Sequence, residues 1–136
     1  MRLVSDEVWA AMTIWIEARG ESQEGRCAVG EVNRNRMARQ YQSDDTVIGT
    51  TLRPYQFSGW NTSDPNRQLA AALLDDDPVY LACVAAWRSA VAGSSFAKGA
   101  VLYYAPDSVA APPPWAGACH VVARIGKHVF YGTGSH

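Results

Sequence analysis

Glu17 is the only charged residue between Val8 and Ala18, a segment otherwise rich in Trp, Ala, Ile and Met. Helical periodicity continues to Arg19 and stops at Gly20, which puts Glu17 in the last turn of a helix with no evident polar face. A carboxylate in that position loses hydration and faces the negative end of the helix dipole. Both effects disfavour the ionised form, so the sequence predicts an acid shifted towards neutral pH. An acid that keeps its proton there can donate it to a departing glycosidic oxygen. Pairing of Glu17 with Arg19, Arg34 or Arg36 fits the same pattern. Glu21 lies one helical turn further on but beyond Gly20, so the bend of the chain decides whether the two carboxylates meet.

Other side chains can serve such a site. Gln56 and Ser58 offer neutral hydrogen bonds in a loop after the second helix, for gripping hydroxyl and acetamido groups or for capping a turn. Tyr55, Phe57, Trp60, Tyr103, Tyr104 and Trp115 carry flat apolar faces of the kind on which sugar rings stack, although core packing uses the same faces. His128 follows a turn, where it can orient Glu17, bond substrate, or serve as a structural histidine. Arg36 is expected to neutralise Glu21 or Glu31 between two helices, with no catalytic step assigned to it. Asp44, Asp45 and Asp64 occupy the central region and are available as a water-activating base.

Two further chemistries are open to the sequence. Cys27 is a candidate thiolate nucleophile with His120 or His128 as base, but a helix capped by Ser22 places it beyond the first turn, where the dipole helps less. Cys119, His120 and His128 lack any recognised metal-ligand spacing, so no metal or other cofactor is expected. The three cysteines are never arranged as CxxC and read as buried thiols.

The elements that must position these residues are legible as a pattern. A first helix is capped by Ser5, with Val4 and Trp9 as a hydrophobic staple, and buried nearly all round. A second starts between Ser22 and Gly25 and runs through Met37, with Gly20 as the corner between them. Thr46 to Leu52 is a short helical stretch inside a long structured loop region, and Gln68 to Leu74 is helical. Asp77-Pro78 starts another helix, whose stripe of Val79, Cys83, Trp87 and Val91 is core and which ends at Gly93. The period then changes to two. A strand is expected at Ala100 to Tyr104, a Pro-rich loop at Pro112 to Pro114, and a hairpin with arms His120 to Arg124 and Lys127 to Tyr131 around Gly126. Gly132 to His136 reads as a frayed tail.

With 136 residues the chain fits one domain spanning 1–136. The 12 Lys and Arg against 13 Asp and Glu give no one-signed excess, so nucleic acid is not an expected partner. No apolar run is long enough for membrane insertion. Asp6 and Glu7 stand where a signal peptide needs positive charge, so cytoplasmic synthesis without an export signal is the expectation.

Read in order, Glu17-Ala18-Arg19-Gly20-Glu21, Glu24-Gly25, Ala28-Val29 and Asn35-Arg36 resemble the opening signature of the SleB/CwlJ-type cell-wall hydrolases. Pro54 to Trp60 resembles that family's Gln-Phe-Ser element through Gln56, Phe57 and Ser58. Tyr103-Tyr104-Ala105-Pro106 with Pro114-Trp115-Ala116 resembles its aromatic stretch, and Ile125-Gly126-Lys127-His128-Val129-Phe130-Tyr131 its terminal motif. The resemblance implies an α+β, lysozyme-like domain, helices first and a small antiparallel sheet last. It implies action on peptidoglycan glycan strands between N-acetylmuramic acid and N-acetylglucosamine, commonly as a lytic transglycosylase, with Glu17 at the catalytic position. Among the aromatics it favours Tyr104 and Trp115. The lack of an evident secretion signal or separate wall-binding module makes the chain resemble a phage or prophage endolysin, expected to be a monomer that reaches the wall after membrane permeabilisation. A hydrolytic muramidase using a second carboxylate, a non-catalytic binding or virion module, and a Cys27-dependent peptidase are the competing expectations.

Overall fold

A computed structural model describes residues 6–41, 43, 46–51 and 76–133. Helix α1 spans Asp6–Ala18 and α2 Gln23–Arg39. Helix α3 is the short Val47–Thr51, and α4 is Pro78–Val91. Strand β1 is Leu102–Tyr104, β2 His120–Ile125 and β3 His128–Gly132. Among the described residues no helix is long and apolar enough to cross a membrane.

The helices begin and end for local chemical reasons. Helix α1 has Asp6 and Glu7 in its first turn, at the positive end of its dipole. At the other end the Arg19 guanidinium donates to the Ile16 carbonyl at 3.2 Å and lies 4.5 Å from the Trp15 ring centre. The Ser22 side chain caps α2 by accepting from the Gly25 N–H, and Asp77 caps α4 by accepting from the Tyr80 N–H at 2.9 Å. The cap expected from Ser5 and its staple through Val4 lie outside the described residues, as does the helix expected at Gln68 to Leu74.

Helices α1, α2 and α4 pack on one another around Ile14, Val29, Cys83, Trp87 and Ala90. Gly30 eases the crossing, since a methyl there would sit 3.2 Å from Ile14 Cδ1 and 3.3 Å from Ala90 Cβ, so tightly that these neighbours would have to shift. Helix α1 buries Ala10, Ala11, Thr13, Ile14, Ile16 and Ala18, so its all-round apolar character corresponds to burial on more than one face.

The sheet is antiparallel in the order β1-β3-β2, with β3 central. The register sets Tyr103 opposite Phe130 and Ile125 opposite His128. Side chains alternate across a strand, so Tyr103, His128 and Phe130 share the face turned to the helices. Leu102, Val129 and Tyr131 share the other, in a second apolar cluster with Val101, Tyr104 and Trp115. Both faces are therefore covered, and β3 is buried along its whole length.

Three expectations need adjusting. Gly132 is not tail but the last residue of β3, paired with His120. The first strand starts at Leu102 rather than Ala100, because Ala97 and Ala100 close a turn before it. The Pro-rich segment includes a short 3-10 turn over Pro114–Ala118 rather than loop alone. Residues 134–136 lie outside the described part.

Candidate active site

The chain turns sharply after α1, and Glu17 in its last turn opens on a cleft of about 220 Å³. Ala18, Gly20 and Glu21 from the corner line it, with Ala105 and Ser108 following β1, and Lys127 and His128 at the start of β3. Glu17 is half-buried there. The three pieces are far apart in sequence, and two contacts hold them together.

The first contact is Glu21. One of its oxygens, Oε1, accepts the Lys127 N–H at 2.9 Å and lies 3.0 Å from His128 Nδ1. Both side chains are about nine-tenths buried, at 11% and 10% exposure, so the pair is shielded from water, although Nδ1 is not aligned on the carboxylate as in a well-formed hydrogen bond. For a neutral His128 to donate to Glu21, the proton must be on Nδ1, which leaves Nε2 as an acceptor. Burial pushes the His128 pKa down, the Glu21 charge and hydrogen bond pull it up, and the net shift is downward. Gly126 is essential to this geometry. Its φ of +57° suits a residue without a side chain, and a Cβ on it would fall 2.6 Å from Glu21 Oε2. The carboxylates of Glu17 and Glu21 line one cleft, but Glu21 already serves as the staple between the helical corner and the hairpin.

The second contact runs behind Glu17. Tyr103 packs edge-on against His128, with ring centres 5.0 Å apart, and beside Phe130 at 5.5 Å. Burial raises its phenol pKa well above the ordinary value. The Glu17 charge and a hydrogen bond with Glu17 raise it further, and Arg36 works in the opposite sense. Arg36 is itself buried, its Nε donating to the Val101 carbonyl at 2.6 Å. Burial lowers its pKa, while Tyr103, Tyr41 and Glu17 support its charge. Glu17, Tyr103 and Arg36 form one electrostatically linked set.

This corrects the role expected for Arg36. It does not neutralise Glu31, which is fully buried yet accepts from Ser94 Oγ at 2.6 Å, the Phe96 N–H at 3.1 Å and the Ala97 N–H at 2.8 Å. Glu31 fixes the loop after α4 with neutral donors. Nor does Arg36 serve Glu21, whose partners are in the hairpin. Of the arginines offered as partners for Glu17, Arg34 is committed to the carbonyls of Ala90 and Ser94.

The remaining candidates separate. Tyr104 and Trp115 pack with Tyr131, at ring separations of 5.9 Å and 5.1 Å, in the apolar cluster on the sheet face away from Tyr103 and His128. They are half-buried and do not line the Glu17 cleft. Gln56, Phe57 and Ser58 lie outside the described residues, as do Tyr55, Trp60, Asp44, Asp45 and Asp64. Cys27 is buried, and burial raises its thiol pKa, which disfavours the thiolate a peptidase would need. His120 and His128 lie at opposite ends of the hairpin, paired with Gly132 and Ile125. Among the described residues no group of three or more His, Cys, Asp and Glu converges as a metal site.

Sequence reasoning missed Ser108 and Lys127, and it treated Tyr103 only as one aromatic among six. A signal for Tyr103 was available. Adjacent strand residues point to opposite faces, so only one of Tyr103 and Tyr104 can look towards the helix that carries Glu17. Nothing comparable flagged Ser108 or Lys127, which sit in turns without periodicity.

The spore cortex-lytic enzyme of Bacillus subtilis (strain 168) is 30% identical over 124 residues, covering 88% of this chain and 35% of that protein. The spore cortex-lytic enzyme of Oceanobacillus iheyensis is 31% identical, with 88% and 39% covered. The chain therefore spans little more than a third of the length of these curated relatives. The crystal structure of the catalytic domain of the Bacillus cereus SleB protein aligns with a TM-score of 0.74 at 25% identity, over 93% of this chain and 88% of that one. The catalytic domain of the germination-specific lytic transglycosylase SleB from Bacillus anthracis gives 0.72 at 23% identity, over 95% and 96%. The α+β, lysozyme-like arrangement expected from the sequence is the fold shared with these domains. Residues 20–131 match the profile of the Cell Wall Hydrolase family, and it is to this family that the chain belongs.

Proposed function

We propose that residues 1–136 act as a single, monomeric catalytic domain that cleaves peptidoglycan glycan strands between N-acetylmuramic acid and N-acetylglucosamine as a lytic transglycosylase, lysing the wall. Glu17 is the acid and then the base. One observation carries this reading: of the two carboxylates that line the cleft among the described residues, Glu21 ties the corner to the hairpin through the Lys127 N–H and His128, whereas Glu17 opens on the cleft with Tyr103 and Arg36 behind it. A relative of the same fold is named a lytic transglycosylase, which supports the choice of reaction.

The chemistry is complete with one carboxyl group. Protonated Glu17 donates to the glycosidic oxygen as the bond to muramic acid C1 breaks. The carboxylate then accepts the proton of the C6 hydroxyl of the same sugar while O6 bonds to C1. No water is consumed, and the strand ends in a 1,6-anhydro sugar. Attack from within one ring system can match effective molarities of roughly 10⁵ M or more, which replaces an external nucleophile, while Glu17 itself serves as the base. A conventional muramidase needs that second carboxyl group as nucleophile or base. Ser108, exposed on the cleft, is placed to meet polar groups of the sugar.

Digestion of purified peptidoglycan, with products identified by mass, tests the reading. Wild type is expected to release anhydro-muropeptides, and Glu17→Gln to lose roughly 10²–10⁴-fold in rate, the usual worth of a positioned general acid. Reducing muramic acid ends from wild type would make the enzyme a hydrolase. Undiminished cleavage by Glu17→Gln would remove Glu17 from the chemistry.

A further inference from the structure

Helix α2 grips the chain just before β1. Asn35 Nδ2 donates to the Ala100 carbonyl at 2.8 Å and Arg36 Nε to the Val101 carbonyl at 2.6 Å, so two adjacent side chains clamp the backbone that leads into Tyr103. The Val101 N–H is taken by the Tyr131 carbonyl at 3.0 Å, which fixes that residue from the side of β3 as well. The Tyr103 ring is then held by His128 and Phe130, and its hydroxyl oxygen is shielded from water. From there it meets Glu17, whose charge and hydrogen bonding both strengthen the phenol's hold on its proton, so the phenol is the donor and the carboxylate the acceptor. In the resting site this contact is not aligned as in a well-formed hydrogen bond, and contacts of this kind tighten as charge develops during the reaction. Arg36 is 3% exposed, and among the described residues Glu17 is the carboxylate that supports its charge.

Resting on the reading that Glu17 is both acid and base, we infer that Tyr103 is a positioning residue: held by the Asn35-Arg36 clamp, its phenol donates to the inner oxygen of Glu17 and leaves the outer one to exchange protons with the sugar. A scheme without a second base asks one carboxyl group to give a proton and then take one back. With the phenol on the inner oxygen, both transfers use the oxygen that faces the cleft, and the side chain keeps one orientation through both steps. The donor matters most between the steps, when Glu17 is charged, because a hydrogen bond to an ionised acceptor is about twice as strong as a neutral one. The Arg36 cation acts in the same sense through space. Both favour release of the Glu17 proton, whereas burial and the end of the α1 dipole favour its retention, so the strength of the acid is set between opposing pulls. The other ionisable groups on the cleft, Glu21, Lys127 and His128, come from the corner and the hairpin and do not depend on the phenol hydroxyl for their place.

Tyr103→Phe keeps the ring that packs on His128 and removes only the donor. With purified peptidoglycan as substrate, kcat is expected to fall about tenfold with KM within about twofold. The alkaline limb of the kcat/KM profile, where Glu17 loses its proton, is expected to move up by about 0.5–1 pH unit, because the ionised form has lost its partner. Tyr80→Phe, which takes a hydroxyl from the helical core and does not line the cleft, keeps both. Asn35→Ala loosens the clamp and is expected to move the limb the same way by less. In the double variant the limb stays where Tyr103→Phe alone puts it, because Asn35 acts through the phenol. Carbon NMR titration of the Glu17 carboxyl, its signal assigned by its loss in Glu17→Gln, reads the same shift without turnover. A fall in rate and in Tm with an unmoved limb makes Tyr103 merely structural and overturns the inference, as does an unchanged rate, or shifts that add in the double variant. If wild type releases no glycan product, the proposed function fails instead, and the carboxyl titration still decides whether the phenol governs Glu17.

Discussion

Replacing Glu21 by Gln separates the structural duty of this carboxylate from a catalytic one. In the folded protein one Glu21 oxygen takes the Lys127 N–H at 2.9 Å and faces His128 Nδ1 at 3.0 Å, with both side chains largely shielded from water. Hydrogen bonds to a charged partner contribute about 1.5–3 kcal/mol and neutral ones about 0.5–1.5. Gln keeps a neutral acceptor for Lys127 but brings no charge to His128, so the expected loss is about 1–2.5 kcal/mol. For a domain of this size that is a fall in Tm of roughly 4–10 °C.

The loss must also depend on pH. The His128 pKa lies below its ordinary value because burial outweighs Glu21. A histidine held neutral in this way contributes its full stability above the unfolded pKa of about 6.5. That contribution is lost progressively as the pH falls towards the folded pKa, because the unfolded chain then binds the extra proton. Glu21→Gln removes the one group that opposes burial and lowers the folded pKa further. Its penalty relative to wild type is therefore expected to grow as the pH drops from about 8 to about 5.5. Thermal unfolding followed by circular dichroism across that range measures it, with Glu24→Gln on the exposed first turn of α2 as the comparison. A penalty equal at both ends of the range would refute the Glu21–His128 linkage. A variant as stable as wild type but as inactive as Glu17→Gln would make Glu21 a reacting group and remove the single-carboxylate scheme.

Two other predictions concern the supports around the site. Glu31→Gln is expected to cost about 2–4 kcal/mol in denaturant unfolding, because three donors converge on the carboxylate and the new amide NH₂ must face one of them. Gly126→Ala combines a φ of +57° with a Cβ 2.6 Å from Glu21 Oε2, so a fall in Tm equivalent to about 1–3 kcal/mol is expected, together with loss of strand cleavage as the hairpin turn lifts away from the corner.

The parts of the fold that follow from local rules were legible. Asp77-Pro78 and Ser22 begin helices because their side chains satisfy N–H groups at the helix start, and the change of apolar period after Gly93 announces the strands. The separation of Tyr104 and Trp115 from Glu17 was not legible from their type, because a ring that stacks on a sugar and one that fills a core share the same chemistry. Only the register of β1 on β3 sends Tyr103 towards the helices and Tyr104 away. Arg36 was misplaced for a related reason. The acidic residues expected to meet it were Glu31 and Glu21, but Glu31 is claimed by the loop at Ser94 to Ala97 and Glu21 by the hairpin, and both partners arrive from across the fold. Charge pairing between distant segments leaves no periodic trace.

The same tertiary contacts bear on which reaction the site supports. Two carboxylates separated by one helical turn invite a two-carboxylate mechanism, and on sequence alone Glu21 is the obvious second. The bend at Gly20 changes that. It turns Glu21 to the hairpin, where its charge joins α1 and α2 to β3 and is matched by an imidazole and an N–H. Using Glu21 as a nucleophile or base would mean breaking these bonds in a shielded place, at a cost of the same order as the stability they provide. A hydrolytic enzyme would need another base, such as Asp44, Asp45 or Asp64. The substrate's own C6 hydroxyl needs no such residue, which is why the staple at Glu21 favours a transglycosylase over a hydrolase.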